Sequence, residues 1–486
     1  MKDFSKITEE LAVLQERTDW AQGTERIGQL LEKHGAELDR GEKSFLYGRL
    51  GYFLRFLERA EESAAAYREA VLYAPYLAQQ RKLYSDYLLI CHYLPHVSDE
   101  ELAESHFFYQ NFFRPKEELQ HVRDDHRRHS KIRIGYLSSN FKTHIMSCFM
   151  MQLLALADRD RFEVYCYDLG GLSDGAAEQM KSFGNIWRNI ALPEAKERAR
   201  TIAADEIDIL FDLGVHTDGG HGLATLGYKA APVQIAGIGY MSTSGLKAVD
   251  YYLSDRFLDP PGKGDAYFSE KLLRLSHSHF CYTPFEEIFK STIDWQPHER
   301  PVFGCFNNSA KISEEMLRLW LTLLRRVPGA KLLLKAWKPE ALIEKALSLG
   351  YCRGEIEVRP MTLDYVHEYM DMDIALDTFP YTGGGTTCEA IYMGVPVVTL
   401  AGTRHGTRFG LSLLENVGLG ELVSNTPEEY VEKAAALASD VELLAALHKN
   451  LRPMMQRSPV MDGKSYVREI EAMYEDVWQA WLDGRE

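Results

Sequence analysis

The chain has 486 residues, 45% of them apolar, and a formal net charge of -16. Such a length accommodates about two to four domains, and the acidic balance excludes a non-specific nucleic-acid or anionic-membrane binder, which needs a basic stripe. The first ten residues carry no apolar signal core and no apolar run is long enough to span a bilayer, so a cytoplasmic location is expected. The seven cysteines have no C-x-x-C spacing. Cys148, Cys166, Cys281 and Cys305 lie in or beside apolar runs and read as buried free thiols.

Residues 1–130 read as helical, with apolar and charged residues at 3.6 spacing. Tyr47, Leu50, Gly51, Leu54, Ser63, Tyr67, Ala70 and Pro75 fit a tetratricopeptide template. The neighbouring periods are weak, so one or two helix pairs are expected to lean on the rest of the chain, their groove suited to docking a peptide. Ser98-Asp-Glu-Glu reads as a capped helix start. The run from Gln120 to Lys131 contains three histidines among arginines and aspartates and reads as a solvated linker rather than a metal site.

From Lys131 the pattern becomes alternating strand and helix, the mark of βαβ units and parallel sheets. The first series of strands is Ile132–Leu137, Phe162–Tyr167, Ile207–Leu213, Val233–Ile238 and Val249–Leu253. After a break from about Pro284 to Arg300 comes a second: Val302–Phe306, Lys331–Lys335, Glu355–Val358, Ile374–Leu376 and Val395–Leu400. The division expected is 1–130 helical, 131–290 a first Rossmann-like domain, and 291–486 a second. A final helix, Gly463 to Leu482, is expected to cross back onto the first domain through Tyr466, Tyr474 and Trp478.

The most informative segment is Asp373 to Leu400. A buried strand breaks at Asp377-Thr378, passes Pro380 and reaches Gly383-Gly384-Gly385; Thr386-Thr387 then open a helix. Amides at a helix start are unpaired and point outward, and glycines let a diphosphate approach them. Glu389, about one turn in, is placed to take a ribose hydroxyl pair. On spacing alone a plain βα loop with a surface glutamate fits as well.

This segment, D-T-F-P-Y-x-G and T-T-C-E-x-x-Y-M-G-V-P, resembles the donor loop of the O-GlcNAc transferase and SPINDLY family of protein O-glycosyltransferases. It is nearest the SPINDLY branch. Arg133–His144, Pro232–Leu246, Phe306–Ile312 and His405–Leu414 resemble further motifs of that family in the same order. The resemblance implies a GT-B fold: two Rossmann-like parallel-sheet domains facing a cleft, here preceded by the helical tetratricopeptide-like region. It implies an inverting, metal-independent transfer of a sugar from a nucleoside diphosphate to a Ser or Thr hydroxyl of a protein.

Residue by residue, the resemblance puts the phosphate-contacting lysine on Lys311 and a neighbouring donor-site position on Asn308. The amides of Gly383, Gly384 and Gly385, with Thr386 and Thr387, would hold the diphosphate, and Glu389 the ribose. A functional histidine falls on His144, which would place or deprotonate the acceptor hydroxyl, and a second on His216. Asp208 and Tyr365 stand where the O-GlcNAc branch carries histidines. The first reading of the donor is UDP-GlcNAc; GDP-fucose or UDP-glucose is the alternative, and an inactive GT-B scaffold or a sugar-nucleotide epimerase belongs to another class. No cofactor or metal is expected: Asp371-Met372-Asp373 has D-x-D spacing but precedes a buried strand outside the glycine loop.

Overall fold

The computed structural model describes residues 4–114, 117–126 and 129–485. The chain opens with α1 (Phe4–Glu16), α2 (Trp20–His34), α3 (Arg40–Phe56), α4 (Ala60–Tyr73), α5 (Leu77–Cys91) and α6 (Asp99–Phe107). Asp39 with Glu42 and Ser98 with Glu101 make capping boxes that start α3 and α6,. In the predicted repeat, a Cβ on Gly51 would meet the Tyr67 ring at 2.8 Å, so glycine sets the approach of α3 to α4. Among the described residues these make three helix pairs, not the one or two expected. A small residue also sets the approach of α2 to α3: a Cβ on Gly23 would meet the Phe53 ring at 2.5 Å.

The helices do not stand apart from the α/β body. Residues of α4 and α5 share one continuous core with the first sheet. At the other end, Trp20 and Phe56 pack on Trp337 of the second sheet domain, with ring centroids 5.7 and 6.1 Å apart.

The first sheet runs β1 (Ile132–Ser138), β2 (Phe162–Asp168), β3 (Ile186–Asn189), β4 (Ile209–Asp212), β5 (Val233–Gly237), β6 (Tyr251–Asp255) and β7 (Lys271–Leu275). Its spatial order is β3-β2-β1-β4-β5-β6-β7. The second runs β8 (Val302–Cys305), β9 (Lys331–Ala336), β10 (Ile356–Pro360), β11 (Ile374–Leu376), β12 (Val397–Leu400) and β13 (Val423–Ser424), ordered β10-β9-β8-β11-β12-β13. Both are parallel throughout. β3, β7 and β13 escape the sequence reading because each is an edge strand. β3 and β7 mix polar with apolar residues, and β13 has two residues.

The C-terminal helix, Gly463–Leu482, lies on the first sheet domain. The Tyr474 hydroxyl meets that of Tyr136 at 3.2 Å, and Tyr466 donates to the His279 carbonyl at 2.8 Å. Glu471 accepts from the Asp158 amide at 2.7 Å and from Arg161 at 2.8 Å.

Two expectations fail here. The histidine-bearing run is not a solvated linker: His126 is buried, Asp208 accepts hydrogen bonds from both His126 and His129, and His126 meets Trp478 and Trp481 edge-on. Arg127 and Arg128 of that run lie outside the described residues. The second is the bearing of Asp208, which stands where the O-GlcNAc branch carries a histidine, on the donor. Asp208 precedes β4, at the amino ends of the strands, whereas the loops that face the second domain leave their carboxyl ends.

Candidate active site

Each sheet reverses its strand order beside its first strand, between β1 and β4 and between β8 and β11. The crevice outside the carboxyl ends at such a point is where open α/β sheets receive ligands. In the second domain that crevice is made by two adjacent loops, Phe306–Lys311 after β8 and Asp377–Gly385 after β11. They border a small half-open hollow of about 20 Å³ lined by Phe306, Asn307, Tyr369, Asp377, Thr386 and Thr387 among others.

Asp377, a residue the sequence reading passed over, organises this crevice. It is fully buried and accepts from the Gly383 amide at 2.7 Å, the Thr378 amide at 2.9 Å, Asn307 Nδ2 at 3.1 Å and Thr399 Oγ1 at 2.7 Å. Burial raises its pKa, and these donors and Lys311 oppose the rise. A polar residue ending an apolar strand was the available signal. Asn307 Oδ1 is buried there with no hydrogen-bond partner among the described residues.

Lys311 is half-buried. Its ammonium donates to the Thr382 carbonyl at 3.1 Å and lies 3.5 Å from the centroid of the Tyr381 ring. Burial pushes its pKa down to about 8, with Asp377 pulling the other way. Asn308 is spent on structure: its Oδ1 accepts from the Ala310 amide at 3.1 Å and caps the turn that carries Lys311.

The glycine loop leads into the helix Gly385–Tyr392, whose Cys388 amide bonds to the Gly384 carbonyl at 3.0 Å. The amides of Gly385, Thr386 and Thr387 precede that bond and are the free donors of the first turn. Gly383 differs, because Asp377 takes its amide. The Thr387 hydroxyl turns back to the Gly383 carbonyl at 3.0 Å. A side chain on Gly384 would meet the Phe280 ring at 3.1 Å, and one on Gly385 would overlap Ile145. The loop is therefore pressed against the first domain, and glycine is required for that approach.

Glu389 is on the inner face of this helix, buried, and not a surface residue. Its two oxygens accept from Tyr365 at 2.9 Å and Tyr369 at 3.1 Å. Burial pushes its pKa up to about 7, partly offset by the two phenols. Tyr365, half-buried, thus meets Glu389 against this helix.

Across the cleft, His144 caps the helix Ile145–Ala155 by accepting the Met146 amide on Nδ1 at 3.2 Å. It is exposed to solvent, yet the surrounding protein and then Lys142 lower its pKa. In the neutral ring an accepting Nδ1 puts the proton on Nε2. His144 therefore offers the cleft an N–H donor.

His216 is not a cleft residue, and its assignment to catalysis is corrected. It is fully buried; Nδ1 meets Ser85 Oγ at 2.8 Å and Nε2 donates to the Ser244 carbonyl at 3.0 Å. Desolvation and the nearby His106 hold its pKa well below the usual value. With α5 over it, its ring joins the helical region to the first sheet domain. Asp371 and Asp373 form no D-x-D site either. Asp373 accepts from the Val302 amide, Trp295 and His298, and Asp371 pairs with Arg359 at 2.6 Å.

Residues 111–294 and 283–470 match the model described as Glycosyl transferase family 41. A protein of Hordeum vulgare named "Probable UDP-N-acetylglucosamine--peptide N-acetylglucosaminyltransferase SPINDLY" is 36% identical over 425 residues, 82% of this chain and 43% of its own. The Arabidopsis thaliana protein of that activity named SEC is 28% identical over 73% of this chain and 38% of its own. The chain thus spans less than half the length of these curated relatives. The structure of a Thermobaculum terrenum O-GlcNAc transferase mutant superposes with a TM-score of 0.83 at 28% identity, covering 100% of both chains. The architecture is GT-B with an N-terminal helical region, consistent with tetratricopeptide repeats. The family match covers both sheet domains and every loop of the crevice, and the chain belongs to glycosyl transferase family 41.

Proposed function

We propose that the chain is a nucleotide-sugar-dependent glycosyltransferase that moves a sugar, with inversion, onto a Ser or Thr hydroxyl of a protein. One observation carries the reading: the free amides of Gly385, Thr386 and Thr387, and the Lys311 ammonium, converge on one switch-point crevice that faces His144. A diphosphate held there meets unpaired N–H groups and a cation. Lys311 stabilises the charge that grows on the leaving nucleotide. Glu389 takes the ribose hydroxyls, and the His144 N–H positions the acceptor or the donor oxygen near it.

The relatives' names support UDP-GlcNAc as donor. Tyr365, a phenol bonded to Glu389 where the O-GlcNAc branch carries a histidine, keeps the second reading open, GDP-fucose or UDP-glucose. Asp208 has no bearing on the donor, because it lies behind the first sheet. Nucleotide release measured with UDP-GlcNAc, UDP-glucose and GDP-fucose, with a protein acceptor, tests both readings. Turnover with one of them identifies the donor; no turnover with any, with intact fold, removes the transferase reading. No metal is needed in this chemistry, so transfer continues in EDTA at 25 °C. Loss that manganese restores would assign the diphosphate to a cation instead.

A further inference from the structure

The sharpest feature outside the crevice is the histidine cluster behind the first sheet. His126 Nδ1 lies 2.7 Å from Asp208 Oδ1, and His129 Nδ1 lies 3.0 Å from both oxygens of the same carboxylate. One potential ligand atom from each of the three residues falls within 4.8 Å of the others. Asp208 is fully buried and His126 nearly so. Two imidazoles aim the same nitrogen at one buried carboxylate, so a cation can take the place of the two N–H···O contacts.

We propose that His126, His129 and Asp208 bind a divalent transition metal of the zinc class, outside the catalytic cleft. The donor set, two imidazole nitrogens and one carboxylate oxygen, is of the type zinc takes. The two histidines stand in H-x-x-H spacing, and the third ligand comes from the residue before β4. Tetrahedral zinc holds its ligand atoms about 3.3 Å apart, so side-chain shifts of about half an ångström admit the ion.

The surroundings of the cluster fit this as well. His129 Nε2 faces Glu206 Oε2 at 3.2 Å, the outer carboxylate that fixes the tautomer of a ligating histidine and leaves Nδ1 for the metal,. The Arg133 amide donates to Asp208 Oδ2 at 2.8 Å, orienting the carboxylate. Its guanidinium turns away, to Glu206 at 2.9 Å and Glu163 at 3.1 Å. A surface hollow lined by His129, Ser130, Lys131 and Arg133 gives the ion an entry path and leaves the fourth position to water,.

A metal here fastens three distant parts of the chain. His126 carries it to Trp478 and Trp481 of the C-terminal helix, where Arg123 also donates to the Trp481 carbonyl at 2.8 Å. The role is structural, and it is independent of sugar transfer.

The test uses the full chain, untagged, stripped with chelator and titrated with Zn²⁺ alone, with bound metal counted after gel filtration and the melting temperature followed. About one Zn²⁺ per chain and a raised melting temperature are expected. His129→Gln, on the outer side of the cluster, should lose the bound ion, and Glu206→Gln should weaken binding about 10- to 100-fold. Asp208→Asn is the stronger test if it folds; His129→Gln serves if it does not. No stoichiometric uptake by the wild type, or uptake by His129→Gln equal to wild type, overturns the site and leaves the pair of protons as its occupant.

Discussion

The Lys311 ammonium lies 3.5 Å from the centre of the Tyr381 ring, a cation held against an aromatic face at the mouth of the glycine loop. The lysine follows β8 and the tyrosine follows β11, so the two loops of the crevice are coupled through this contact. The ring steadies a charge whose pKa burial has already brought down to about 8,.

Lys311→Ala should lower turnover about a hundredfold or more, the usual effect of losing one preorganised electrostatic contact. The melting temperature should change little. In the wild type, kcat/KM should fall as pH rises above about 8, because the free lysine loses its proton there,. Lys311→Arg should move that limb upward. Near-normal turnover in folded Lys311→Ala would remove the leaving-group role.

For His144, the hydrogen-bond direction decides what a substitution does. With Nδ1 accepting the Met146 amide, the ring serves as a donor through Nε2. His144→Gln, which retains an N–H donor, should keep activity within about tenfold of wild type, while His144→Ala should lose more than that. If both variants are equally inactive and the acid limb of the pH profile disappears with them, His144 is the base.

Glu389 ties stability to pH. Its folded pKa is raised to about 7, above the ordinary 4.5. The folded state therefore binds more protons between those values, and its contribution to stability is full below about pH 4.5 and lost as pH rises through about 7. The size is on the order of 3 kcal/mol. Glu389→Gln should flatten that fall in an unfolding titration. It should also raise the donor KM with kcat little changed, since a ribose contact is made equally in ground and transition states. A collapse of kcat with donor affinity intact would place Glu389 in the chemistry.

The helical region reaches the donor loop itself. Tyr93, just beyond α5, packs on Tyr381 with ring centroids 5.6 Å apart. Tyr93→Leu should therefore raise the donor KM several-fold with the acceptor KM unchanged. The reverse outcome, a change confined to the acceptor, would favour the peptide-docking groove expected from the repeat.

Local signals made the crevice legible. A strand, three glycines and a helix start fixed the backbone there, and Lys311 sits on the turn its motif predicts. Long-range packing was not legible. His216 follows a strand end just as His144 does, yet α5 buries it, and no spacing in the sequence distinguishes the two. Glu389 and Tyr365 are 24 residues apart and meet through folding alone. The histidines at 126 and 129 looked solvated because their arginine neighbours dominate the local composition, while the buried partner, Asp208, is some eighty residues away.

The C-terminal helix adds a second covalent crossing between the two sheet domains, beside the linker that precedes β8. Two crossings make an axis. A twist of one domain over the other would pull on the contacts that fasten this helix to the first domain, Tyr474 with Tyr136 and Glu471 with Arg161.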